Sequence, residues 1–197
     1  MATALPIPRS EPLPRLWTKA EYYHMAELGW FQGQKAELLE GEVVVTSPQG
    51  PLHYWCLQRV ARVLAVHLPA QWTVRMQGPL DLGLQTEPEP DVAVVPARPD
   101  NYASAHPQTA GLIVEVSDTT LVSDRTRKGS LYARAAIADY WIVNLVDGRL
   151  EVYRNPRPNP AQSYGHEYAD STLLGPADTV SPQAVPTVSI PVADLIP

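Results

Sequence analysis

A chain of 197 residues, 45% of them hydrophobic, has the length of one domain and enough apolar material for a sizeable core. Its formal charge of −6 excludes a non-specific nucleic-acid binder that works through overall positive charge, but not an enzyme that meets phosphates through a metal ion or a local basic patch. The single cysteine, Cys56, excludes an internal disulfide framework and fits a reducing compartment, and no apolar run approaches the roughly 18 residues of a membrane helix.

Residues 1–16 carry Pro6, Pro8, Pro12 and Pro14. They read as a flexible, extended lead-in without the continuous apolar segment of a signal peptide, so a cytoplasmic protein with one domain over 17–197 is expected. The stretch TKAE (18–21) matches a capping box, Thr18 with Glu21, and predicts a short helix to about Leu28. AELLEGEVVVTSP (36–48) predicts two strands around a turn at Glu40-Gly41. Leu57, Val60, Ala61, Leu64 and Leu68 form one apolar face of a helix over 53–68, within which Cys56 reads as a small core residue.

Strands are predicted at 72–80, 91–96 and 111–117. Residues 124–136 predict a helix with Ser123 or Asp124 as its N-cap. Residues 140–154 read as a hairpin around the two-residue turn Asp147-Gly148. A loop at 155–160 and a Pro-rich tail with short strand-like pieces follow. The runs at 91–96 and 111–117 are continuously apolar, as in strands buried on both faces. The expected fold class is α/β: a mixed sheet flanked by helices, with added β-hairpins.

Two carboxylates break this pattern. Glu115 sits inside the run Leu112, Ile113, Val114 and Val116, where desolvating a charge is expensive. Ile113 and Ser117 share its face of the strand and the other face is apolar, so Glu115 should be at least half buried. Its compensating partner is either an arginine, a structural solution, or a cation shared with another carboxylate, a functional one. Asp91 opens the other run and on its own reads equally well as a solvated residue at a strand end. In the following helix, Asp124, Lys128 and Tyr132 are spaced i, i+4, i+8. Lys128 can point back toward Glu115, or form a surface pair with Asp124. Arg125, Arg127 and Lys128 form a local basic patch.

The segments AELLEGEVVVTSPQGPLH, EPEPDVAVV, LIVEVSDTTLVSDRTRKGSLYARAAIADYWIVNL and GRLEVYR, in this order, resemble the Uma-two-type restriction endonuclease family of the PD-(D/E)XK nuclease superfamily. The resemblance covers roughly residues 17–155. It implies a restriction-endonuclease-like mixed sheet and a metal-dependent endonuclease that hydrolyses phosphodiester bonds, with DNA as the expected nucleic acid. It assigns Asp91 and Glu115 as the acidic pair, which would hold Mg²⁺ (or Mn²⁺) together with the Val116 carbonyl. Ser117 stands where the superfamily usually has its lysine, and Lys128 on the next helix matches the family's displaced lysine. Glu37 matches an early glutamate that would bind a water or a second metal, and Glu40 stands where the family often shows Asp.

His53 matches a histidine before the family's helix and would touch phosphate or a metal-bound water; its plainer reading is a capping or core histidine. Arg125 and Arg127 are the expected substrate contacts. Cutting both strands of a duplex would suit a homodimer. Two further readings remain at this level: a catalytically inactive nucleic-acid-binding or regulatory module on the same fold, and a glycosidase with paired carboxylates.

Overall fold

The computed structural model describes residues 13–197; the first twelve residues of the proline-rich lead-in fall outside them. The capping box forms as expected: helix α1 (Lys19–Glu27) starts with the Thr18 side chain accepting from the Glu21 N–H and the Glu21 carboxylate accepting from the Thr18 N–H. Strands β1 (Lys35–Leu39) and β2 (Glu42–Thr46) pair antiparallel around Glu40-Gly41, both with positive φ, the geometry of a tight hairpin turn. Gly41 is required twice over. Its φ is +82°, and a Cβ there would lie 2.6 Å from the Leu16 Cβ.

Helix α2 (Pro51–His67) begins two residues before the expected start, because proline at the first helical position needs no N–H partner. Strand β3 (Trp72–Met76) stops four residues short of the expected end. Gln77 turns to a φ of +47° and gives its N–H to the Asp91 carbonyl, 3.0 Å away, which takes the chain off the ladder and ties it to the start of β4 (Val92–Pro96).

The main sheet has six strands in the order β3-β4-β5-β6-β7-β8, with β5 at Leu112–Ser117, β6 at Asp139–Asn144, β7 at Arg149–Pro158 and β8 at His166–Leu174. Only β5 and β6 run parallel. A parallel pair needs a crossover, and the chain makes it through α3 (Leu121–Ser123), a π-helical turn (Asp124–Lys128) and α4 (Gly129–Arg134).

This crossover corrects the expected helix over 124–136. The helical segment begins at Leu121, Ser123 and Asp124 both have helical backbone angles, and neither is an N-cap. The expected loop at 155–160 is also corrected, since β7 continues to Pro158 opposite His166. The prolines are tolerated there because pairing with β6 ends at Arg154. Beyond that point one edge of β7 is open, and a missing N–H donor removes no ladder bond. The tail adds a two-residue pair, β9 (Thr179–Val180) with β10 (Ile190–Pro191).

Alternation along the central strands splits the core into two layers. On one face Cys56, Leu57, Val60, Ala61 and Leu64 of α2 pack on Val92, Val94, Leu112, Val114, Val116, Trp141 and Val143. On the other, Leu131 and Tyr132 of α4 pack with Ala93, Val95, Ile113, Tyr140 and Ile142. The helix-sheet-helix sandwich is the expected architecture. No helix among the described residues is long and apolar enough to cross a membrane.

Candidate active site

The antiparallel register of β4 and β5 sets Val92 opposite Val114, which brings Asp91 beside Glu115 and Val116. The two carboxylates brace each other's strands. The Asp91 N–H donates to Glu115 Oε2 (3.3 Å), and the Val116 N–H donates to Asp91 Oδ2 (3.0 Å). Both line a cleft of about 550 Å³, together with Glu37, Gln49, His53, Val116, Asp124 and Lys128.

Each further side chain reaches the cleft from a different element. Lys128, at the end of the π-helical turn, donates to Glu115 Oε1 (2.9 Å) and to Glu37 Oε1 (3.3 Å). Glu37 comes from β1, and its other oxygen accepts from the Glu89 N–H (3.1 Å). Tyr132 of α4 donates its hydroxyl to Glu115 Oε1 (2.7 Å). On the α2 side, His53 Nε2 lies 3.2 Å from Asp91 Oδ2, while its Nδ1 is buried without a hydrogen-bond partner among the described residues. Gln49 donates to Asp91 Oδ1 (3.1 Å) and accepts from Gln77 (2.9 Å).

The charges do not balance. Four carboxylates, Glu37, Asp91, Glu115 and Asp124, are buried with one lysine, Lys128, and one histidine, His53. Burial pushes Glu115 up to about 8; the Lys128 ammonium opposes the shift, and the charges of Asp91, Asp124 and Glu37 add to it. Burial also raises Asp124. Asp91 goes the other way. Burial works against its charge, but the hydrogen bond and charge of His53 outweigh it and hold Asp91 below the usual carboxylate range. His53 is raised in turn, because Asp91 overcomes the penalty of burying the imidazolium. Lys128 stays protonated well past its ordinary range: burial disfavours the ammonium, and Glu115, Glu37, Asp124 and Asp91 together more than compensate.

The fold thus gathers Glu37, His53, Asp91, Glu115, Val116 and Lys128 in one cleft. Arg125 and Arg127 are not brought into it. Arg125 forks onto Glu151 (2.6 and 3.0 Å), and Arg127 is engaged by Glu42 and the Tyr164 hydroxyl. The basic patch read from the sequence is therefore neutralised on its own surface.

Three participants escape sequence reasoning. Gln49 sits in a loop ahead of α2, where nothing marks it. Asp124 was expected as a cap, yet its carboxylate accepts the hydroxyls of Ser117 and Thr120 (both 2.6 Å). Tyr132 had a signal in its spacing from Lys128 but no visible partner. Among the described residues, no group of three or more His, Cys, Asp or Glu side chains is arranged to hold a metal ion.

Comparison with known proteins gives a family and a similar fold. The model of a family described as Uma2, putative restriction endonuclease, matches residues 20–193. A crystal structure of a putative nuclease belonging to DUF820 from Anabaena variabilis is similar in fold, with a TM-score of 0.60 and 16% identity over 81% of this chain and 88% of that one. No curated protein matches the chain.

Proposed function

The chain belongs to the Uma2 putative restriction endonuclease family, and from that premise we propose that the cleft around Asp91 and Glu115 is the active site of a metal-dependent endonuclease acting on nucleic acid, with DNA as the expected substrate. The observation that carries the proposal is the charge deficit: four buried carboxylates share one lysine and one histidine. Buried anions in excess of their partners are expensive, and a divalent cation bound by carboxylates and a carbonyl removes that penalty.

The donor set suits Mg²⁺ or Mn²⁺, hard ions that take oxygen ligands. Asp91, Glu115 and the Val116 carbonyl would hold the ion. Bound there, it would supply Lewis-acid polarisation of a phosphate and a water of lowered pKa. The chain's own groups supply the rest. His53 and the Val116 N–H hold Asp91 ionised and oriented. Tyr132 and the Asp91 N–H fix the Glu115 carboxylate from both sides. Lys128 Nζ is the buried ammonium at the site, suited to stabilising charge that develops on the phosphate or to orienting the attacking water. Glu37 aims that ammonium, and can bind a water when Lys128 turns to substrate. The acidic surface and the neutralised Arg125 and Arg127 make site-directed contacts, rather than a broad basic face, the source of affinity.

One observation favours the alternative of an inactive nucleic-acid-binding or regulatory module: three metal-binding side chains are not gathered together among the described residues. A single experiment separates the two. Purified protein is incubated with supercoiled plasmid, single-stranded DNA and RNA, each with Mg²⁺, Mn²⁺ or EDTA. Cleavage that needs the ion and disappears in Glu115→Gln supports the enzyme; binding without cleavage under every condition supports the module. A glycosidase would ignore EDTA and nucleic acid alike.

A further inference from the structure

The crossover that carries Lys128 to Glu115 is a distorted helix. In a regular α-helix, positions 124 and 132 are about 80° apart around the axis, since eight residues exceed two turns of 3.6. The π-helical turn over Asp124–Lys128 takes up one extra residue without adding a turn. Asp124, Lys128 and Tyr132 are thereby aligned, and all three are buried, while Arg125 and Thr126 face outward. A π-turn is a rare interruption of an α-helix, so its placement here asks for groups that hold it.

The holding groups converge on one residue. The Asp124 carbonyl accepts from the Gly129 N–H, the bond that defines the wide turn, and from the Tyr140 hydroxyl on β6 (3.0 Å). Its carboxylate oxygen Oδ2 accepts two hydroxyls, Ser117 at the end of β5 and Thr120 in the connection (both 2.6 Å). Gly129 permits the approach, since a Cβ there would lie 3.3 Å from the Asp124 carbonyl oxygen. Ser117 is fully buried beside Glu115 on the same strand.

We propose that the Ser117–Asp124 contact is a latch that fixes the π-turn to the end of β5 and so positions Lys128 over Glu115; Ser117 and Asp124 are positioning residues for the lysine. This rests on the reading of Lys128 as the ammonium that acts on substrate. The latch works by geometry: one oxygen accepting two hydroxyls. An asparagine at 124 retains such an oxygen and loses the charge, whereas alanine loses both.

The test compares Ser117→Ala, Asp124→Asn and Asp124→Ala in the full chain. Two readouts are used: acetylation of Lys128 by acetic anhydride, followed by peptide mass mapping, and kcat and KM for plasmid cleavage with Mn²⁺. Asp124→Ala should expose Lys128 to acetylation on the order of tenfold faster, as expected of a local opening. Its kcat should fall by about 10²-fold with KM little changed, the usual consequence of a catalytic group displaced by an ångström. Ser117→Ala, which leaves Thr120 in place and removes only one oxygen, should move both readouts in the same direction by less. Asp124→Asn, which keeps the accepting oxygen, should leave Lys128 acetylated at close to the parent rate. The proposal is overturned if Lys128 is as protected in Asp124→Ala and Ser117→Ala as in the parent. It is equally overturned if Lys128 is acetylated as fast in Asp124→Asn as in Asp124→Ala, because charge rather than the hydroxyl contacts would then be decisive. If the parent cleaves nothing, the functional reading fails, while the acetylation contrast still decides the latch.

Discussion

Two carboxylates on neighbouring strands meet burial in opposite ways. Asp139 opens β6 and Glu115 lies in β5, the only parallel pair of the sheet, and they are 0% and 3% exposed. Asp139 is matched by a guanidinium: Arg154 donates to both of its oxygens (2.9 and 3.4 Å), and the Trp141 indole N–H (2.9 Å) and the Gln183 N–H (2.8 Å) complete the set. Glu115 must share its lysine with Glu37 and faces Asp91 and Asp124 as well. The first arrangement is a finished structural pair. The second is short of positive charge, and a proton or an added cation makes up the difference. Burial of a charged group is thus no sign of function by itself; an unbalanced local sum is the more informative feature.

The largest effect that would break this comparison is expected from Glu115→Gln. Cleavage with Mg²⁺ or Mn²⁺ should fall on the order of 10³-fold if Glu115 holds the ion and the site's electrostatics depend on it. Stability in EDTA at pH 7 should stay within about 1 kcal/mol of the parent, since the parent's Glu115 is already mostly protonated there and Lys128 keeps Glu37 as a partner. A strongly destabilised variant, or one that still cuts, would make Glu115 another Asp139.

Asp139→Asn should do the reverse. It should lose about 3–5 kcal/mol of unfolding free energy, because Arg154 is left partly buried without its counter-charge, and cleavage per folded molecule should be unchanged. Urea unfolding alongside the plasmid assay distinguishes the two outcomes. Lys128→Met keeps the volume and removes the ammonium; cleavage should drop by about 10²-fold while calorimetric titration still shows Mn²⁺ binding.

The dependence on pH sharpens the contrast further. Glu115 titrates at about 8 rather than the ordinary 4.5, so between these values the folded state holds a proton that the unfolded chain has released. In EDTA, this group makes stability fall as pH rises through that window and level off above it. A bound cation displaces the proton, so metal affinity should rise over the same window. Urea midpoints at pH 5, 7 and 9 should show the slope in the parent and a flatter one in Glu115→Gln. A parent whose midpoint does not decline would mean that Glu115 is ionised and fully paired.

The smallest effect is expected at Arg125. Its partner Glu151 is buried but the Arg125 side chain is 41% exposed, so Arg125→Ala should cost at most about 1 kcal/mol. It should also leave nucleic-acid affinity and its salt dependence unchanged, contrary to the expectation from sequence. A weakened salt slope would restore Arg125 to the substrate surface.

Much of the architecture is legible in the sequence. Apolar spacing located α2, the continuous runs located β4 and β5, the capping box located α1, and Asp147-Gly148 located the hairpin, although its connection runs over four residues, 145–148, rather than the expected two, because each depends on chemistry within a few residues. Glu115 stood out for the same reason, as a charge in an apolar run. The misses were of another kind. The π-turn that aligns Asp124 with Tyr132 is held by Ser117 and Tyr140, which belong to two different strands. Strand β7 runs through its prolines because β6 happens to end alongside it.

By itself, then, the sequence determined the elements and marked one carboxylate as costly to bury. The tertiary structure decided what that carboxylate means. Lys128 and Glu37 meet across 91 residues of chain, and Arg125 and Arg127 are cancelled by Glu151 and Glu42, 26 and 85 residues away. Periodicity is a local property of a chain, whereas charge balance is a sum over groups that only folding brings within range.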